Sequence, residues 1–176
     1  MPEDPVPVVW EIAAAPDFVR LLQTGVAEAA AAHGHSLHVA VANLEPDPAY
    51  WYRFRAGDYV GPTGRTRTLP ASGEAVEEFN FAFSSCQHFE DAHFTAWREV
   101  AALDLNLVVF LGDYIYETKP RKVPVAGRGF VGEEAADLIG YRNRYARYKL
   151  DLNLQAAHAA HPFVVAWDDH EVSNNY

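Results

Sequence analysis

Apolar and polar positions follow two different patterns along the chain, one on each side of a Pro/Gly-containing stretch at residues 70–74. Before it the apolar segments are short and loosely alternating. Residues 6–14 (VPVVWEIAA) read as a strand rich in β-branched side chains, and residues 18–24 as a second. Residues 36–41, where apolar and polar side chains take turns, read as a half-buried third. Residues 26–32 (VAEAAAA) carry helical propensity, but the glycines at 25 and 34 leave a span too short for a stable isolated helix, so this segment stays ambiguous. A turn at 43–48 leads to residues 50–55 (YWYRFR), a strand with aromatics and arginines interleaved; turns at Gly57-Asp58 and 61–64 precede a last short strand at 66–69. Short strands at this spacing, joined by short connections, predict an antiparallel β-sandwich over residues 1–72.

After the stretch, the apolar positions come in unbroken runs separated by helical spacing. Residues 79–83 (FNFAF) form a strand ending in Ser84-Ser85-Cys86-Gln87. Phe94, Trp97, Val100 and Ala101 recur as on one helix face within residues 93–103. Residues 107–111 (LVVFL) have no polar face, which suits a strand buried on both sides, and run directly into Gly112-Asp113. Residues 119–132 are a Pro/Gly-containing excursion with basic residues; 133–148 and 152–160 read as helices. Residues 162–167 (PFVVAW) are a third buried strand ending in Asp168-Asp169-His170-Glu171. The order β-α-β-α-α-β predicts a parallel sheet with helices on its faces over residues 73–176. The fold class is therefore mixed: an antiparallel β-sandwich followed by an α/β unit.

Composition narrows what such a chain does. Of its 176 residues 49% are apolar and 22% charged, as in a soluble globular protein. Lys and Arg number 14 against 24 Asp and Glu, a net charge of −10, which argues against nucleic acid as the main partner. The alternation of Arg53 and Arg55 with Tyr50, Tyr52 and Phe54 is accordingly read as a strand with one wet face rather than a base-stacking surface. The acidic surplus is a solvated surface or part of a carboxylate-rich cation site. A single cysteine excludes an internal disulfide framework. No run of 18 apolar residues is present to span a membrane, and the opening MPEDPVPVVW lacks the pattern of an export signal.

The candidate chemistry lies at the strand ends. Parallel strands joined by helices bring their carboxyl ends to one edge of the sheet, where ligands bind in open α/β folds. The first strand delivers Cys86, the second Asp113 and Tyr116, the third Asp168, Asp169, His170 and Glu171. A thiolate, a phenolate and several carboxylates make an anionic donor set for hard cations. Two metals about 3.5–4 Å apart generate a hydroxide and clamp phosphoryl oxygens. His170 is suited to donate a proton or to hydrogen-bond a phosphate oxygen. Each residue has a plainer reading: Cys86 as a small buried hydrophobe, Asp113 as a helix cap, Tyr116 as core, His170 as a structural histidine. Their joint occurrence at three strand ends favours a site. Asp169 is preferred to Asp168 as ligand, since adjacent residues rarely face one ion. His88, His93, His158 and His161 are read as helix or loop histidines. Tyr141, Arg142, Arg144 and Arg147 share one helix and are read as its solvated face ahead of a phosphate clamp.

The segments FAFSSCQ, LVVFLGDYIYE, YRNRYARYKLDLNLQAAH and HPFVVAWDDHEVSNNY, in this order, resemble the PhoD-type alkaline phosphatases of the metallophosphoesterase superfamily. Phe110 stands where that family often has histidine, and Leu152 where it often has proline. The segment before them resembles the family's N-terminal fibronectin-III-like sandwich. The resemblance implies a calcium- and iron-dependent phosphomonoesterase and phosphodiesterase acting on small-molecule phosphoesters, secreted or periplasmic. It implies that Cys86, Asp113 and Tyr116 hold ferric iron and that Asp113 bridges to calcium. Asp169 matches a ligand asparagine of the wider superfamily, and His170 the adjoining histidine near the phosphate. Family members continue past WDDHE with further histidine and aspartate ligands. The chain is therefore expected to be an N-terminal portion with an incomplete dinuclear or multinuclear centre, or else an inactive fragment serving as a β-sandwich binding or structural module.

Overall fold

The computed structural model describes residues 4–125 and 127–176, and the chain divides between Glu78 and Phe79 into two units. The first contains β1 (Val6–Ala13), β2 (Leu21–Ala29), β3 (Ala49–Ala56), β4 (Tyr59–Val60) and β5 (Gly64–Arg67). They pair in the order β2-β1-β3-β4, with β5 also on β3, and every pairing is antiparallel. Among the described residues this is one five-stranded sheet, which corrects the expectation of a two-sheet sandwich. Residues 36–41 alternate in burial as expected yet join no ladder. Alternation reports that one side of a segment faces the core; it does not supply a partner for the backbone.

The ambiguous alanine-rich segment is resolved by β1. Strand β2 runs on through it to Ala29, because pairing with β1 satisfies backbone groups that a short isolated helix leaves marginal. Only Ala31–His33 close into a 3-10 turn. Trp10 lies opposite Gly25, and a Cβ there would come within 2.7 Å of the indole. The arginines of β3 are used internally. Arg53 Nε donates to Glu11 at 2.5 Å while its guanidinium lies 4.2 Å from the Phe18 ring centre, and Arg55 reaches Glu11 at 3.5 Å.

The second unit contains β6 (Phe81–Ser84), α1 (Ala96–Ala102), β7 (Leu107–Phe110), α2 (Leu138–Lys149), α3 (Leu152–Ala160) and β8 (Phe163–Val165). The sheet order is β6-β7-β8 and both pairings are parallel, as the alternation of runs and helical segments predicts. Its core gathers Trp97, Val108, Phe110, Tyr114, Ile115, Tyr148 and Leu154. The expectation that β7 is buried on both sides is corrected. Phe110 and Val108 are fully buried on the face packed in this core, whereas Leu107 and Val109 on the other face are half-buried, and Val109's neighbours across the sheet, Phe83 of β6 and Val164 of β8, lie open. The apolar run carries side chains for two faces, and among the described residues only one face is fully covered.

Helix α2 starts later than its apolar pattern suggests. Asp137 adopts an extended conformation and accepts from Gly140 N at 2.7 Å, an N-cap that fixes the start at Leu138. Asp151 caps α3 in the same way, accepting from Asn153 N and Leu154 N. The excursion at 119–132 is pinned rather than loose. The fully buried Glu90 accepts from Arg121 N and Phe130 N, and Arg144 donates to Thr118 O and Glu133 O while stacking 3.6 Å over Phe130. Arg144 is buried, and Arg147 donates to Gly129 O, so the solvated-face reading of these arginines is overturned. Their guanidiniums satisfy the carbonyls of a loop that has no ladder of its own.

Candidate metal centre

The parallel register places the ends of all three strands on one edge. Hydrogen bonds carry the pairing beyond the strands: Leu111 N donates to Ser84 O, Cys86 N to Gly112 O, Gln87 N to Asp113 O, and Ala166 N to Phe110 O. Cys86 and Asp113 are thereby fixed side by side. The backbone at this edge is unusual. Gly112, Asp113 and Cys86 all take positive φ, at 106°, 54° and 56°. Gly112 is also where the third strand's extension crosses, and a Cβ there would run into Asp168. Two non-glycine residues in the left-handed region at one edge mark a strained, over-determined turn of the kind found at functional sites.

Asp113 stands at the centre of the arrangement. Its Oδ2 accepts from the Tyr116 hydroxyl at 3.0 Å and its Oδ1 from His170 N at 3.4 Å. Donor atoms of Asp113, Asp169 and His170 all lie within 4.8 Å of one another. The exposed Cys86 thiol lies near enough to act on the Tyr116 hydroxyl. Burial first, then the Asp113 carboxylate and Cys86, push the Tyr116 hydroxyl far above the ordinary phenol range. The protein alone therefore holds a neutral phenol against an acidic cluster, and a bound cation would reverse that preference. The groups that Asp113 and Asp169 accept from are a phenol and backbone amides, and the His170 ring beside them is the positive group of the cluster when protonated. A thiol, a phenol and two carboxylates converging on one edge fit a hard, highly charged ion.

His170 is oriented by Glu117, a buried carboxylate whose Oε2 lies 2.7 Å from His170 Nδ1. The ring stacks on Tyr116 with centres 4.1 Å apart. Burial disfavours the charged ring, but the hydrogen bond and charge of Glu117 outweigh it and raise its pKa. With Nδ1 engaged, Nε2 is the nitrogen left for a ligand or a proton transfer. Asp169 accepts from Asn175 N at 2.6 Å, the chief reason its carboxyl sits below the ordinary range, with the neighbouring His170 adding to it.

The structure brings together Asp113, Tyr116, Asp169 and His170, with Cys86 at the phenol. Asp168 is not among them: it caps the 3-10 turn Asp169–Glu171, its Oδ1 accepting from Asp169 N. Of the other histidines, His158 stacks on Phe163 and hydrogen-bonds Tyr114 OH, and His161 is buried with Nε2 on Val100 O. His88 lies against Tyr116 and Phe130, its pKa lowered mainly by burial. Sequence reasoning passed over Glu117, which no spacing singles out. It also left the role of Glu171 open, although Asp168-x-x-Glu171 has the spacing of a capping box.

A family model described as PhoD-like phosphatase matches residues 81–176, and one described as the PhoD-like phosphatase N-terminal domain matches residues 1–70. The chain is 45% identical over 179 residues to alkaline phosphatase D of Bacillus subtilis (strain 168), a match covering 100% of this chain and 31% of that protein. It superimposes on a solved structure of PhoD with a TM-score of 0.95 at 46% identity, covering 100% of this chain and 34% of that one. The chain thus spans about a third of the length of these relatives.

Proposed function

This chain belongs to the PhoD-like phosphatase family, and from that premise we propose that its parallel-sheet edge is part of the metal centre of a phosphoester hydrolase. The observation that carries the reading is Asp113, whose two oxygens are divided between Tyr116 and the backbone of His170 in a cluster with Asp169. Cys86, Asp113 and Tyr116 are the donors for a trivalent ion such as ferric iron, and Asp113 with Asp169 the donors for a divalent one such as calcium. When bound, the ions supply an activated hydroxide and neutralise the phosphoryl oxygens of a small phosphoester.

The chain's own residues have distinct tasks in this reading. Asp113 has one oxygen toward Tyr116 and one toward the backbone of His170, so it would contribute to holding both ions. Tyr116 would offer its phenol oxygen as a ligand to the trivalent ion. Glu117 keeps the proton of His170 on Nδ1 and supports the charged ring, so that Nε2 is able to donate to a phosphate oxygen or to the leaving alkoxide. The left-handed turns at Cys86 and Asp113 hold the donors at their spacing before any ion arrives.

The test is the iron and calcium content of the purified protein together with its hydrolysis of p-nitrophenyl phosphate, each compared with Asp113→Ala. The expected result is metal uptake and turnover that the substitution abolishes. A protein that takes up neither ion when both are supplied would overturn the reading. Metal uptake without turnover would overturn the hydrolase part alone, in favour of a binding or structural role.

A further inference from the structure

Two glutamates cross between the loop after β7 and the loop after β8. Glu171, from the second loop, reaches the backbone of the first: Oε1 accepts from Tyr114 N at 2.7 Å and Ile115 N at 3.3 Å, and Oε2 from Asp113 N at 3.0 Å. Oε2 also accepts from Asp168 N at 2.8 Å in its own loop. Glu117, from the first loop, reaches the second: Oε2 meets His170 Nδ1 at 2.7 Å, and Oε1 accepts from Asn174 N at 2.8 Å. Each loop thus sends one carboxylate into the other.

The local backbone explains why the first loop takes a carboxylate there. The left-handed turn at Asp113 makes three successive N–H groups converge, and such a concavity binds anions. Left empty in a buried place, three unpaired donors would each be costly. One carboxylate satisfies all three and a fourth donor besides, which makes the strained turn tolerable. With four N–H groups on its two oxygens, Glu171 already accepts at both, and the cluster of donor atoms around Asp113 does not include it.

We propose that Glu117 and Glu171 form a reciprocal carboxylate bracket that sets the gap between the two loops carrying Asp113 and Asp169. Glu171 is then a positioning residue and not a metal ligand. The bracket itself rests on the hydrogen bonds alone; its effect on metal affinity rests on the metal-centre reading above. It defines the site from inside: Glu117 holds the ring of His170, and Glu171 holds the turn that aims Asp113.

The experiment compares the parent protein with Glu171→Gln and Glu117→Gln, with Glu171→Asp used if the amide variant fails to fold. Residue-resolved amide hydrogen exchange and calcium titration are read well below each melting temperature. In Glu171→Gln the amides of residues 113–115 exchange faster while Val108 and Val109 in β7 do not change. Calcium affinity falls about 10–100-fold, the usual loss when a residue supporting a ligand is removed. In Glu117→Gln the Asn174 amide is the one released, with a loss of calcium affinity in the same range. A lowered melting temperature with unchanged calcium affinity would reduce the bracket to a structural feature and overturn the proposal. If the parent itself takes up no calcium, the metal reading fails separately. Exchange then decides the bracket: faster exchange confined to residues 113–115 upholds it, and unchanged exchange overturns it.

Discussion

Glu11 in the N-terminal unit and Asp113 in the C-terminal unit are both buried carboxylates, and they are satisfied in opposite ways. Glu11 lies on β1 between Arg53 and Arg55, so its charge is met by charge. Asp113 accepts from a phenol and a backbone amide, in a cluster with Asp169 and the His170 ring. A buried charge without a counter-charge is expensive unless something neutralises it. Glu90 and Glu171 are also met by dipoles, but by several backbone N–H groups each, which fill both oxygens. Asp113 has one donor per oxygen and clusters with Asp169 and His170, which leaves room for a cation. The difference is not one of unit but of place. In the same C-terminal unit Asp151 is paired with Arg128, whose guanidinium also lies 4.1 Å from the Phe89 ring centre. At the edge of the parallel sheet Asp113 has no such pairing with Arg or Lys among the described residues.

The sharpest way to break this comparison is to remove a carboxylate that is neutralised. Asp151→Ala strands a largely buried Arg128 and removes the cap of α3. The expected cost is about 3–5 kcal/mol, read from urea unfolding of the C-terminal unit. A cost near zero would mean that paired carboxylates here are incidental. Glu11→Gln should cost less, about 1–2 kcal/mol, because the side chains of Arg53 and Arg55 are 27% and 44% exposed and water screens the loss. It should leave metal uptake unchanged. The same pair has a pH signature. The Arg53 hydrogen bond, working against burial, holds the Glu11 pKa below its ordinary value of 4.5. Folding therefore favours the ionised form. The stabilisation is complete above pH 4.5 and drains away as pH falls through the lower folded value. Acid unfolding of the parent and of Glu11→Gln should converge in that window; parallel curves would refute the assignment.

Part of this contrast was legible in the chain itself. Cys86, Asp113, Tyr116 and Asp169 each follow an apolar run, and parallel topology is enough to bring run ends together. Helix α3 has the bounds its pattern predicts, 152–160, and the structure shows Asp151 capping it there. The single sheet of the N-terminal unit was not legible, since residues 36–41 have the alternation of a strand and lack only a partner, which no local pattern reveals. Nor was the half-covered second face of β7, since an unbroken apolar run reads the same whether one face or both are fully covered. Arg144 was misread because a helix arginine bonding loop carbonyls has the same spacing as a solvated one. Glu117 was hidden because its partners, His170 Nδ1 and Asn174 N, lie more than fifty residues away. Glu171 shows only its capping-box spacing, and its three bonds to the loop after β7 go to backbone amides, which every residue has.

The smallest expected effect on stability is also the most informative. Asp113→Asn keeps the shape of the side chain and an oxygen to accept from Tyr116, and breaks no ion pair. It removes one negative charge from a cluster that includes Asp169, so self-repulsion falls. Without added metal the melting temperature should be unchanged or raised, with a change in stability of no more than about 0.5 kcal/mol. Calcium and iron uptake should be lost, because an amide oxygen lacks the charge to bridge two cations. Thermal unfolding of parent and variant in chelator, followed by the same melts with calcium added, separates the two effects. Calcium should raise the melting temperature of the parent by mass action and leave the variant where it was. If instead Asp113→Asn destabilises the metal-free protein as much as Glu11→Gln does, then Asp113 is a structural carboxylate with a counter-charge of its own. The two buried acids would then follow one rule, and the edge of the parallel sheet would have no special claim on a cation.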